Sequence, residues 1–101
     1  MGLFSFKSEF EITVKCPKEE AFSRFYSYLS TKQCFEISDS EENEMIVFTR
    51  GMSLFSYPID FVINFIEVDE KQTMLKVKSV SGTIDFGKAK GMINDIINEM
   101  Y

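Results

Sequence analysis

The stretch "FSFKSEFEITVKCPKEEAF", residues 4–22, contains the two patterns from which the fold can be predicted. Over residues 4–16, apolar side chains occupy most even positions and polar or charged ones the odd positions. A period of two is typical of a β-strand with one buried face. Pro17 donates no backbone hydrogen bond and suits a first helical position, and acidic residues follow it in the first turn. We therefore predict a strand over residues 4–16 and a helix over roughly residues 17–30.

The rest of the chain has four further predicted strands and a second helix. Short apolar runs predict strands at 34–38 and 45–50, and a strongly alternating run predicts a longer strand at 55–65. A last strand is predicted at 73–81, with the polar residues 68–72 as the turn before it. After this strand, apolar residues recur at helical spacing to the end of the chain.

The order β-α-β-β-β-β-α favours an α+β fold with a single antiparallel sheet. Each predicted strand has one apolar side, so two helices packed on one face of the sheet would cover it economically. With 101 residues the chain has room for a single domain, residues 1–101. We expect the first and second strands at the two edges of the sheet. The first is long, and only its charged residues oppose pairing with another chain.

The composition excludes several classes of function. The chain has no histidine, which is the commonest general base and a usual zinc ligand. A net charge of −5 disfavours nucleic acid and anionic membranes as partners. Apolar runs are too short for a membrane span and too often interrupted for a secretory signal, so we expect a cytoplasmic protein. We also expect no cofactor, no metal and no catalytic residues, and hence no enzymatic activity.

Two groups of residues suggest redox or metal chemistry, but neither has the required pattern. Cys16 and Cys34 have no histidine or lysine cluster beside them, so we expect two free, unreactive thiols. The acidic residues within 36–44 lack the spacing and central glycine of a calcium loop, and a solvated hairpin tip is favoured. These acidic residues are Glu36, Asp39, Glu41, Glu42 and Glu44.

The connection "MSLFSYP", residues 52–58, is rich in apolar side chains where a loop is normally polar. It either continues the core or forms an exposed apolar rim for a ligand, another subunit or another protein. If it borders a pocket between the sheet and the last helix, the candidate ligand-binding residues are Leu54, Phe55, Tyr57 and Phe61.

The end of the chain, "SVSGTIDFGKAKGMINDIINEM", residues 79–100, resembles the ending of short uncharacterised bacterial proteins. The matching positions are Asp85, Phe86, Gly87, Asn94 and Ile97. The order of elements also resembles the TATA-binding-protein-like fold and a shortened helix-grip domain of the START and pollen-allergen type. Helix-grip proteins often hold apolar ligands between sheet and helix, so this resemblance implies a possible ligand of that kind. The TATA-binding resemblance implies nucleic-acid binding, which the charge of the chain opposes.

The last helix opens with Lys88 and Lys90, where the helix dipole favours anions over cations. A phosphate bound at this helix start is one interpretation. Capping by Asp85, whose carboxylate would accept from the first backbone amides, is favoured because no glycine-rich loop surrounds those amides.

The sequence thus predicts a small non-enzymatic domain that binds a partner, most often another copy of itself. The alternative is a carrier or sensor of a small apolar ligand held between the sheet and the last helix. A filled interior favours the first hypothesis, and a void of several hundred cubic ångströms favours the second.

Overall fold

The computed structural model describes residues 6–51, 58–81 and 88–100, and the structural statements below concern those residues. The elements are β1 (Phe6–Val14), α1 (Lys18–Thr31), β2 (Phe35–Glu41), β3 (Met45–Arg50), β4 (Ile59–Asp69), β5 (Gln72–Ser81) and α2 (Lys88–Met100). The predicted order of strands and helices is therefore confirmed.

The five strands form one antiparallel sheet in the spatial order β1-β5-β4-β3-β2. After β1 the chain passes through α1 to the far edge of the sheet, where β2 begins. Each later strand then pairs with the one before it, until β5 lies beside β1 and closes the order. The α+β fold and the two edge strands are as predicted.

Both helices contribute apolar side chains to the core on one face of the sheet, which we call the inner face. From α1 the buried residues include Phe25 and Leu29, and from α2 they include Ile93 and Ile96. They share one cluster with inward side chains of β3, β4 and β5. Among the described residues, no helix is long and apolar enough to cross a membrane.

Aromatic contacts hold the centre of the core together. The ring of Phe61 stacks on that of Phe48, with 4.9 Å between centroids, and Phe35 meets Phe48 edge-on at 5.7 Å. From the helix side, the ring of Phe25 meets that of Phe65 edge-on at 5.9 Å. Such pairs add about 0.5–1.5 kcal/mol each beyond the burial of their apolar area.

The β4–β5 hairpin extends further than the side-chain pattern predicts. The prediction places a strand at 55–65 and a polar turn at 68–72, whereas β4 spans Ile59–Asp69 and pairs with β5 up to Asp69 and Gln72. Backbone hydrogen bonds in an antiparallel ladder do not require apolar side chains, so the hairpin continues beyond the core into solvent.

The acidic segment also lies partly in a strand. The prediction places all of 39–44 at a hairpin tip, but β2 continues to Glu41 and the turn comprises 42–44. Asn43 has φ 61°, a left-handed conformation that asparagine tolerates better than most residues. The carboxylates at the end of β2 are therefore held along the edge of the sheet.

Candidate functional site

β1 forms one edge of the sheet and is regular along its whole length. It pairs with β5 from Phe6 to Val14 without a register shift, and in the described sheet no strand lies on its other side. An edge strand presents unpaired backbone amides and carbonyls to its surroundings. β1 therefore offers nine residues of regular backbone to a further strand.

Side chains of both kinds border this edge. On the inner face, Phe10 and Ile12 are half-buried against the core. On the outer face, Glu9 and Glu11 are exposed and lie opposite two lysines of β5. A hollow of about 390 Å³ at this edge is lined by Phe10, the two glutamates and Lys76. The edge thus combines incompletely covered apolar side chains with a small number of charges.

β2 forms the opposite edge and carries features that oppose further pairing. A bulge interrupts its ladder with β3 between Ile37 and Asp39, and a bulge bends an edge strand away from new partners. Most side chains of β2 are exposed, and several of them are acidic. At the adjoining turn, Lys18 of α1 forms an ion pair with Glu44 at 2.6 Å. This edge is bent and acidic, so a further strand would pair with it poorly.

The outer face of the sheet is a competing surface for a partner. Its exposed apolar side chains include Ile66, Val68 and Val80, with exposed fractions of 38%, 53% and 37%. Carboxylates border this face on both β1 and β2. Lys76 and Lys78 of β5 lie beside Glu11 and Glu9 on the same face, so its apolar side chains are bordered by charges of both signs.

The predicted ligand-binding residues fall into two groups. Phe61 is fully buried within β4 and stacks on Phe48. Leu54, Phe55 and Tyr57 lie outside the described residues, so the structure neither places them in the core nor exposes them as a rim.

Three hollows lined by described residues lie at the protein surface. One, of about 390 Å³, separates α1 from the β2–β3 turn beside Phe22 and Tyr26. Another, of about 530 Å³, lies on the outer face near Met45 and Ile66. The third is the hollow at the β1 edge. None of these three lies between the sheet and α2, where a helix-grip ligand would sit.

The predicted anion site at the start of α2 stays a prediction. Lys88 is the first residue of α2, and Lys90 is exposed in its first turn. The helix has no acidic residue in its first turn, and Asp85, the predicted cap, lies outside the described residues.

Cys16 and Cys34 are not joined by a disulfide, as predicted. Cys16 is buried and Cys34 is exposed. The backbone carbonyl of Cys16 accepts a buried hydrogen bond of 2.8 Å from the hydroxyl of Thr73, which ties the start of β5 to the β1–α1 connection. In the described part of the chain, no three cysteine, aspartate or glutamate side chains come together as a metal-binding group.

A contact that the sequence does not predict joins the two helices. The Tyr28 hydroxyl donates to the Glu99 carboxylate at 2.9 Å, and the ammonium of Lys32 lies 5.1 Å from the centre of the Tyr28 ring. Burial raises the pKa of Tyr28 to about 12, and the hydrogen bond to Glu99 and its negative charge act in the same direction. The phenol therefore stays protonated at neutral pH and serves as a hydrogen-bond donor between α1 and α2.

Comparison with known proteins supports the fold without suggesting a function. No protein-family model and no curated protein matches the chain. A solved structure of an uncharacterised protein from Rhizobium leguminosarum is similar, with a TM-score of 0.60 and 8% sequence identity. The match covers 95% of this chain and 93% of that chain. At this identity the likeness shows a shared fold alone.

Proposed function

We propose that this protein is a small non-enzymatic interaction domain that associates with a second copy of itself through the β1 edge. The observation that carries the proposal is the regular register of β1 with β5, free of any bulge along the strand. β1 lies at the end of the strand order, so its outer backbone groups can accept a new strand.

The position of α1 supports the same edge. α1 packs on β2, β4 and β5, so this helix lies mainly over the part of the sheet away from β1. Phe10 and Ile12 on β1 are only half-buried. A partner strand would bury part of their remaining apolar area, which is worth roughly 25 cal/mol per Å² removed from water.

The titratable side chains support a non-enzymatic role. The chain has no histidine, and the raised pKa of Tyr28 makes its phenol a poor base at neutral pH. Cys16 is buried, so its thiol is not accessible to a substrate from solvent. Two free thiols also fit a reducing compartment, and we propose the cytoplasm.

The packing of the core supports this proposal over an apolar-ligand carrier. Phe61, the described candidate for ligand contact, already fills its space by stacking on Phe48. Phe65 likewise packs against Phe25 and Phe22 of α1. A carrier of the helix-grip type would need room for its ligand beside these rings. We therefore propose that the chain resembles that class in its fold and not in ligand binding.

A matched pair of variants tests the proposed edge. Ile12 in β1 and Ile37 in β2 are both half-buried isoleucines on the inner face of an edge strand. A charge at such a position opposes pairing at that edge. We expect a dimer for the wild type and for Ile37→Lys at tens of micromolar, and a monomer for Ile12→Lys.

Native mass spectrometry and sedimentation measure these states, and circular dichroism checks that each variant is folded. Native mass spectrometry of freshly purified protein also reports any bound apolar ligand. A wild type that is monomeric throughout this range would overturn the proposal. Dissociation by Ile37→Lys with a persistent Ile12→Lys dimer would instead assign the interface to β2.

A further inference from the structure

We infer that the two copies of β1 pair antiparallel about Ile12, so that Phe10 of each copy lies opposite Val14 of the other. This inference rests on the proposed self-association and specifies its register. The partner is a second copy of this chain, and the charges and apolar side chains of β1 select how it docks.

Symmetry restricts the possible registers. In a two-fold pairing about an axis normal to the sheet, one residue of β1 lies opposite the same residue of the other copy. Residues at equal distances on either side of it then pair, which keeps the inner faces of both copies on the same side. With at least five paired positions inside the strand Phe6–Val14, the central residue lies between Ser8 and Ile12.

Charge disfavours three of the five central residues. A register centred on Phe10 is the longest, but it places Glu9 opposite Glu11 twice. Centring on Glu9 or on Glu11 places that glutamate opposite itself. Like charges directly opposite each other destabilise a strand pair. The registers centred on Ser8 and on Ile12 remain.

The apolar inner face favours Ile12 over Ser8. In the Ile12 register, Phe10 pairs with Val14 and Ile12 pairs with itself, so both half-buried edge side chains are covered. In the Ser8 register the paired part of the strand ends at residue 10, and a hydroxyl lies at its centre. The Ser8 register also brings Lys7 opposite Glu9 twice, but exposed ion pairs contribute little to stability, so burial of Ile12 decides between the two registers.

The same register also suits the outer face. Glu11 lies opposite the β-branched Thr13 of the other copy and has Lys76 of its own β5 on its other side. No like charges therefore lie directly opposite each other among the paired residues.

Disulfide cross-linking tests the register directly. A cysteine at the central residue faces itself, and antiparallel neighbours have Cα atoms about 4.5–5.5 Å apart, within the range that a disulfide spans. We place Ile12→Cys and Ser8→Cys separately in a Cys34→Ser background, because Cys34 is exposed and Cys16 is buried. Under mild oxidation, Ile12→Cys should give a covalent dimer and Ser8→Cys should not.

The outcomes separate the register from the self-association on which it rests. If sedimentation shows a dimer but only Ser8→Cys cross-links, or neither does, the Ile12 register is wrong and the self-association stands. If the wild type does not associate, both proposals fail. Sedimentation of each reduced variant shows whether the substitution itself has weakened the dimer.

A charge substitution gives a second measurement of the register. Thr13→Glu should weaken the dimer about tenfold, since it places a glutamate opposite Glu11 at two symmetric positions. Lys7→Glu is the control, because Lys7 lies beyond the paired residues in the Ile12 register and opposite Glu9 in the Ser8 register. A strong effect of Lys7→Glu with none from Thr13→Glu would assign the Ser8 register.

Discussion

The two edges of this sheet belong to one fold and differ in nearly every feature that controls strand pairing. β2 carries a bulge between Ile37 and Asp39 and a row of exposed carboxylates. It also adjoins a turn held to α1 by the ion pair between Lys18 and Glu44. β1 is regular for nine residues and carries charges of both signs. Only one edge therefore has the devices by which proteins avoid edge-to-edge association.

This difference shows that, in this fold, protection against edge-to-edge pairing is local to each edge strand. A bulge and a set of like charges at β2 do nothing for β1, because three strands separate the two edges. With one open edge, pairing stops at two copies, whereas two open edges would permit an endless sheet. The asymmetry between β1 and β2 thus fits a closed dimer.

The largest expected effect comes from a substitution in the core that both edges share. Phe61→Ala removes a fully buried ring that stacks on Phe48, and we expect it to lower the free energy of unfolding by about 3–5 kcal/mol. That is a large part of the ~5–15 kcal/mol that stabilises a typical domain. Urea denaturation followed by circular dichroism measures the change.

Tyr26→Ala is the control for this loss, because Tyr26 is 40% exposed on α1 and its removal leaves little buried space. The contrary result is that Phe61→Ala lowers the free energy of unfolding by less than about 1 kcal/mol, far under the range for a packed core ring, and also changes the binding of a fluorescent apolar probe. The two observations together would show that Phe61 borders a ligand space. That result would favour the apolar-ligand carrier over the interaction domain.

Much of the fold follows from patterns of short range. The alternation in residues 4–16 and the helical spacing in residues 17–30 predict β1 and α1 nearly to their ends, since each pattern reports one element and its buried side. The edge positions of β1 and β2 follow from the order of elements. The predicted end of β4 is too early because the polar side chains at 67 and 69 do not prevent backbone pairing in a hairpin.

The candidate site was less predictable. The sequence shows that β1 lies at an edge, but not that helix α1 packs on β2, β4 and β5, which depends on the three-dimensional arrangement. The contact between Tyr28 and Glu99 joins residues far apart in the chain, and no local pattern marks it. The three apolar residues of the 52–58 connection that the sequence singles out lie outside the described residues, so that part of the prediction stays open.

A variant that gives β2 the properties of β1 tests directly why the two edges differ. Deleting Ser38, which lies at the bulge, and changing Asp39→Asn and Glu41→Gln should straighten β2 and remove two of its carboxylates. We expect this variant to form oligomers larger than a dimer, with the new contact strengthened about tenfold, or on the order of 1.4 kcal/mol. Native mass spectrometry over a concentration series measures the distribution.

The two neutralising substitutions without the deletion are the control, and we expect them to leave a dimer because the bulge still bends β2. If the deletion variant also stops at a dimer, the bulge is not what protects β2. The charges of the turn at 42–44 or the cover of α1 would then have to account for the difference between the edges.

The smallest expected effect concerns how α1 is held over β2. The Tyr28 ring lies 6.4 Å from that of Phe35 in β2, and its hydroxyl donates to Glu99 of α2. Tyr28→Phe keeps the ring and removes the donor, so at neutral pH we expect a loss of about 1 kcal/mol or less. The dimer should persist, because β1 is untouched.

The dependence on pH is a sharper test of the Tyr28 contact than the loss at neutral pH. The pKa of Tyr28 is raised from 10.0 to about 12 in the folded protein, so between these values the unfolded chain loses a proton that the folded one keeps. The stabilisation is therefore complete below pH 10 and is lost as the pH rises toward 12. Thermal melts across this window should fall less steeply for Tyr28→Phe than for the wild type. Equal slopes for Tyr28→Phe and the wild type would mean that the phenol does not hold α1 to α2, and the cover of β2 would then rest on apolar packing alone.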